Sequence, residues 1–148
     1  MSKLEKVLSF KNEYLVKQFS KKNNISLEDS EFLFIELKRL LWFFANRSNG
    51  EFSFPIFTDQ KILDLYWHEF ILSTKSYFSF CEENFGRYIH HSPDITYDEL
   101  SQKDKDHYGS NILKECIREV YNIMGEDIVF RWFVVIPKKF DLGRTNDN

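Results

Sequence analysis

The chain has 148 residues, close to the usual size of one domain, and such a chain buries roughly two-thirds of its unfolded surface. Aromatic residues make up 18% of it, with 16 Phe, so we expect a core built largely from rings. The net charge is −3, with acidic and basic side chains interspersed. This pattern argues against nucleic-acid binding, which requires a concentrated basic surface.

Targeting and redox signals are weak. No run of about twenty apolar residues is present, so we expect no transmembrane helix and no membrane partner. Residues 1–6 lack the apolar core of a secretory signal peptide, and a cytoplasmic location is therefore expected. Cys81 and Cys116 lie far apart without a CxxC spacing, so neither a disulfide framework nor a zinc ribbon is predicted.

Apolar periodicity predicts a mainly α-helical bundle of about five helices, and the first three come in chain order as follows. Residues 3–20 repeat apolar side chains at helical spacing and predict one amphipathic helix. Ser26 is a suitable N-cap for a second helix, whose apolar stripe runs to Phe44. After a loop at residues 46–55 and a cap at Thr58, residues 59–72 are apolar nearly all round, which predicts a buried central helix.

The second half of the chain predicts two more helices and an extended segment. A helix capped by Ser73 or Thr74 should end at Gly86, and another should follow a charged loop at residues 94–106 and end at Gly125. Residues 128–136 are β-branched and aromatic, which predicts a strand or an extended cover on the bundle. We expect one domain over residues 1–137 and a flexible polar tail over 138–148.

Asp64, Trp67 and His68 mark the candidate site. Asp64 and His68 are four residues apart on the central helix, so they share a face, and the carboxylate is expected to accept the imidazole Nδ1–H. This would leave Nε2 for a metal or a proton. Trp67 is expected to wall the site, and all three side chains are expected to point inward.

His90 and His91 follow in a stretch that should be extended, so at most one of them is expected to face His68. One interpretation is a zinc-type metal site of His68 with His90 or His91 and a further ligand from Cys81 or Asp64. The other is a structural cluster of polar groups that satisfy each other and tie the extended stretch to the central helix. Two interpretations are also open for Cys81: a thiol nucleophile, or a small apolar side chain that fills space in the core.

The same segment contains, in this order, Asp64-Leu65-Tyr66-Trp67-His68, Leu72, Thr74, Tyr77, Cys81, Gly86 and His90-His91-Ser92-Pro93. It resembles the glycine-rich domain-containing-protein-like family, whose pattern is D-x-x-W-H-x-H-x-L, then T, Y, C and G, and finally H-H-x-P. Residues 36–41 also resemble the E-Y-K-R-F-L helix of that family, and the similarity covers roughly residues 30–127. The resemblance implies an isolated helical domain with a histidine-bearing site and no known reaction. Phe70 stands where that pattern has a second histidine, which weakens or rebuilds any metal site.

Two functions follow as hypotheses. The first is a non-enzymatic binding module for another protein, of an adaptor or immunity type, in which Asp64, His68, His90 and His91 are structural and no residue is catalytic. The second is a zinc-type metal-binding protein or metal-dependent hydrolase that uses His68 with His90 or His91. The sequence leaves the partner, the metal and the oligomeric state open.

Overall fold

A computed structural model describes residues 3–47, 61–91 and 102–140. For residues 102–109 it describes the backbone only. The described ranges are mainly helical, as predicted, and contain no strand. They hold more helices than the five expected: α1 Lys3–Ser9, α2 Glu13–Asn23, α3 Leu27–Asn46, α4 Lys61–Leu72, α5 Thr74–Phe85, α6 Gln102–Met124, α7 Glu126–Phe130 and α8 Ile136–Lys139. None of the described helices is both long and apolar enough to cross a bilayer.

Contacts along the backbone divide the chain into two compact units. The first contains residues 1–46 and 62–90, and so holds α1, α2, α3, nearly all of α4, and α5. The second contains residues 47–61 and 91–148, and so holds α6, α7 and α8. Phe140 is buried in the second unit, while residues 141–148 lie outside the described ranges. The single domain over 1–137 and the flexible tail stay predictions.

The N-terminal helix predicted over residues 3–20 is in fact two helices, α1 and α2. Asn12 causes the break, because its side-chain oxygen accepts the Leu15 N–H at 3.0 Å and caps α2. The break releases Phe10 from helical geometry, and its ring lies 5.0 Å from that of Phe80. An aromatic contact in the core thus accompanies the interruption.

The second predicted helix is confirmed as α3. The Ser26 hydroxyl accepts the Asp29 N–H at 3.0 Å, as an N-cap should, and Leu33, Leu37 and Leu41 are completely buried. The loop expected beyond Arg47 and the cap at Thr58 lie outside the described residues.

The central helix is confirmed as α4, and it buries one broad face. The buried residues of α4 are Ile62, Leu63, Tyr66, Trp67 and Phe70. Tyr66 stacks on Phe19 with ring centroids 3.8 Å apart, and its hydroxyl donates to the Ser30 carbonyl at 3.1 Å. The Ser30 hydroxyl in turn donates to the Val16 carbonyl at 2.7 Å, so α4 is joined to α2 and α3 by polar as well as aromatic contacts.

The prediction of a further helix that ends at Gly86 is also confirmed. Helix α5 ends at Gly86, whose φ of 68° is the left-handed conformation that a side chain disfavours. Ser73 precedes the helix, although its hydroxyl makes no capping bond and points instead toward the Glu69 carbonyl, at 3.5 Å. Residues 88–91 then run without regular structure, and residues 92–93 lie outside the described ranges, so the extended path expected here stays a prediction.

In the second unit, α6 begins earlier than predicted. It starts at Gln102, inside the stretch expected to be a charged loop, and ends before Gly125, whose φ is 92°. Ile112, Cys116 and Val120 are buried at spacings of four. Glu119, also on α6, forms an ion pair with Arg47, which follows the end of α3.

The segment at residues 128–136 is helical, so the prediction of a strand or extended cover is wrong. Helix α7 continues through a π-helical turn, Arg131–Val135, into α8. Ile128, Trp132 and Ile136 are buried at spacings of four, which is one face of a helix. Burial along this face overrides the β propensity of the individual residues, and no neighbouring strand is present in the described ranges to pair with an extended chain.

Candidate functional site

Three of the predicted site residues come together. Asp64 and His68 lie one turn apart on α4, and His91 follows His90, the last residue of the first unit, by one peptide bond. One potential ligand atom from each of Asp64, His68 and His91 lies within 4.8 Å of the other two. We call these three residues the Asp/His cluster.

The cluster lies at the surface, and this corrects part of the prediction. Trp67 points inward and is buried, but the His68 side chain is 59% exposed and that of Asp64 is 28% exposed. The buried face of α4 ends at Leu63 and Trp67, and Asp64 and His68, which follow these two residues, are rotated by about a further 100° of helix away from the core. A ligand bound at the cluster would therefore be open to solvent on one side.

The imidazole orientation also differs from the expected one. His68 Nε2, rather than Nδ1, is the nitrogen closest to the carboxylate, 3.8 Å from Asp64 Oδ2. Because Nε2 is at the far end of the ring, it is the atom that a shared ligand between the two residues would contact.

Trp67 acts beneath the cluster through a polar contact. Its indole Nε1–H donates to the Tyr77 hydroxyl at 3.0 Å, and that hydroxyl donates to the Ile89 carbonyl. Buried Trp and Tyr require such partners for their polar tips. The pair thus fixes the main chain two residues before His91. Sequence reasoning gave Tyr77 no role, although two buried aromatics with polar tips were a signal.

Cys81 and His90 do not belong to the Asp/His cluster. Cys81 is completely buried, and burial raises the pKa of its thiol, which disfavours the thiolate that a metal ligand or nucleophile needs. His90 is exposed and lies against the ring of Tyr88, with centroids 4.7 Å apart. Of the two consecutive histidines, His91 is the one placed beside His68.

The buried cysteine thiols and tyrosine hydroxyls should make the free energy of unfolding fall at alkaline pH, and Cys116 gives the clearest case. Burial raises its pKa from 9.0 to about 12, and burial also raises the pKa of Tyr77 above its ordinary 10.0. Above pH 9 the unfolded thiol loses its proton while the folded one keeps it, so the unfolded state binds fewer protons. The free energy of unfolding should then fall with pH, by up to about 1.4 kcal/mol per pH unit for each such group.

Urea unfolding between pH 7 and pH 10.5 measures this effect. The Cys116→Ala variant is the matched control, because its free energy of unfolding should fall less steeply above pH 9 than that of the wild type. The lowered pKa of Lys38, about 8, makes the free energy of unfolding rise with pH in this range. This contribution should be the same in the wild type and in Cys116→Ala. Equal slopes for the two proteins would contradict the prediction.

Chemically, the three side chains of the Asp/His cluster are of types that can bind a divalent transition metal. One carboxylate and two imidazoles suit zinc and its neighbours, and three protein ligands leave a coordination position for water or substrate. The exposure of His68 gives such a ligand access.

Comparison with known proteins adds a family. A family profile described as UCP032817-like matches residues 3–123, which is most of the chain and includes the whole Asp/His cluster. The chain belongs to the UCP032817-like family. No curated protein and no solved structure matches the chain. The description of the family names no activity, and we therefore infer a function from the geometry of the Asp/His cluster.

Proposed function

We propose that the protein binds a divalent transition metal, with zinc as the first choice, through Asp64, His68 and His91. The observation that supports this is the convergence of three ligand atoms of suitable chemistry within 4.8 Å of one another. In this proposal the metal occupies the solvent-facing side of α4 and joins that helix to the segment that bears His91.

The separation of the ligand atoms supports the proposal. Ligands bound at about 2.0–2.1 Å in a tetrahedral zinc site are roughly 3.4 Å apart. Asp64 Oδ2 and His68 Nε2 are 3.8 Å apart, so a small side-chain rotation brings both into bonding distance. His68 is the more exposed of the two side chains, at 59%, and is the one we expect to rotate.

Magnitudes favour a metal over a purely structural cluster. An exposed carboxylate–imidazole pair contributes about 0–1 kcal/mol to stability, because water screens it. Asp64 and His68 both lie on α4, and His68 is more than half exposed, so their pair stabilises the fold little and does not hold the His91 side chain. A shared metal ion would bind His91 to both of them, in addition to the Tyr77 hydrogen bond that holds the main chain at Ile89.

The site does not need the second histidine of the resembling pattern. Phe70 is fully buried and contacts the rings of Phe34 and Tyr77, so its position on α4 faces the core and not the cluster. An open fourth coordination position would let the metal activate water, as a hydrolase requires.

Membership in the glycine-rich domain-containing-protein-like family is likewise a proposal. It is supported by the residues between Asp64 and Pro93 that match the family pattern in the same sequence order.

Zinc titration of the purified protein tests the proposal. We expect one zinc per chain, and His68→Ala or His91→Ala should lower the affinity more than roughly 100-fold, beyond the effect of losing an outer-shell partner. His90→Ala is the matched control and should bind as the wild type does. Zinc at a hundred times its dissociation constant should raise the free energy of unfolding by about 2.7 kcal/mol, and chelation should reverse this. Protein that binds no zinc, or equal weakening by His90→Ala, would reject the site.

As a second candidate we propose a module that binds another protein, with a structural Asp/His cluster. The exposed apolar side chains of Leu72 and Phe78, at the end of α4 and on α5, favour it. The same titration separates the candidates, because only the metal proposal requires His91 and His68 to act together on zinc.

A further inference from the structure

A cavity in the first unit is separate from the Asp/His cluster. It has a volume of about 500 Å³ and is lined by residues of α1, α2, α3 and the break between α1 and α2. Its apolar lining includes Val16, Leu27, Phe34 and Ile35. The volume falls within the roughly 300–1,000 Å³ that is typical of small-molecule sites.

Lys38 lines this cavity as a buried cation. Its residue is only 3% exposed, and its Nζ donates to the Leu8 carbonyl at 2.7 Å and to the Phe10 carbonyl at 2.6 Å. An ammonium group has three protons, so one donor remains beyond these two bonds. The Nζ also lies 4.7 Å from the centre of the Phe34 ring, at the cavity wall.

No carboxylate in the described part of the chain lies within 4.0 Å of this ammonium group. Glu36, the buried carboxylate on the same helix, instead approaches Arg39 at 3.3 Å. A buried charge is costly unless an opposite charge or further hydrogen bonds compensate it. Two carbonyl oxygens and one aromatic ring compensate the charge of Lys38 in part, but no negative charge does, so the adjoining cavity is suited to an anion.

We propose that this cavity binds a small monocarboxylate with an apolar chain, whose carboxylate accepts the third proton of Lys38 and whose chain lies against Val16, Leu27 and Ile35. This binding site goes beyond the proposed metal site and does not depend on it.

The charges of the lining support a monoanion. Lys11 and Lys17 add two positive charges to that of Lys38, while Glu13 and Glu31 add two negative ones. The lining thus has one positive charge in excess, which one carboxylate would neutralise. Burial and the charge of Lys11 lower the pKa of Lys38 to about 8, so the group is still mostly protonated at neutral pH.

Calorimetry with octanoate, octanol and octylamine at pH 7 tests the proposal with ligands of equal chain length. We expect octanoate to bind at least tenfold more tightly than octanol or octylamine, because a hydrogen bond to a charged group is worth more than a neutral one. Lys38→Met, which keeps a long apolar side chain, should lose that preference on the order of tenfold. Lys21→Met, at an exposed lysine outside the lining, should bind octanoate as the wild type does.

A second variant covers the case in which Lys38→Met does not fold. Ile35 is partly exposed, so Ile35→Glu should fold, and its carboxylate should repel octanoate and weaken binding at least tenfold. The proposal is overturned if wild-type protein does not bind octanoate, if octanol binds equally well, or if folded Lys38→Met or Ile35→Glu keeps the wild-type affinity.

Discussion

Replacing Trp67 by alanine should lower the free energy of unfolding by about 3–5 kcal/mol. The side chain is buried, its ring stacks on Phe44 at 5.3 Å, and its Nε1–H donates to Tyr77. The substitution leaves a cavity and also removes a hydrogen bond inside the core, and both effects act in the same direction. Chemical denaturation of the purified variant measures the loss.

Two further substitutions make that experiment specific. Leu65→Ala on the same helix is the control, since Leu65 is exposed and its truncation should cost less than about 1 kcal/mol. Trp67→Phe keeps most of the ring but leaves the Tyr77 hydroxyl without its donor, so we expect an intermediate loss. A Trp67→Ala loss no larger than that of Leu65→Ala would show that α4 does not bury this face.

Trp132→Ala should have an effect of similar size in the second unit, about 3–5 kcal/mol, because Trp132 is almost completely buried between Ile128 and Ile136 on one helical face. The free energy of unfolding again measures the loss.

Phe130→Ala is the matched control for Trp132→Ala. Phe130 is 57% exposed, and its truncation should cost less than about 1 kcal/mol. In a β-strand, residues two apart point to the same face, so Phe130 and Trp132 would be buried or exposed together. Similar losses for the two variants would therefore support the strand expected from sequence and contradict the helix.

The position of α4 could be predicted from its sequence, but the direction of its polar side chains could not. Because α4 is apolar nearly all round, its periodicity predicts burial without fixing which face is deepest. In the structure Tyr66 and Phe70 define that face, and Asp64 and His68 lie beside it at the surface. The convergence with His91 depends on the path of residues 86–91, which local patterns do not encode.

Local propensity also failed at both ends of the chain, for two different reasons. The periodicity of residues 3–20 predicts one continuous helix through Asn12, yet the Asn12 side chain accepts a backbone hydrogen bond and begins a new helix. At residues 128–136, β-branched and aromatic residues favoured a strand, but the burial of Trp132 with residues four positions on either side favours a helix. The apolar side chains of Ile128, Trp132 and Ile136, at spacings of four, are the sequence signal for this face.

The contact between Tyr77 and position 89 has a consequence for sequence variation. Tyr77 holds a main-chain oxygen, which every residue type supplies. Residue 89 can therefore be replaced by side chains of similar size without weakening the hydrogen bond from Tyr77. Selection on this link should instead act on the tyrosine hydroxyl and the indole that orients it, so loss of either one should free the histidine that follows.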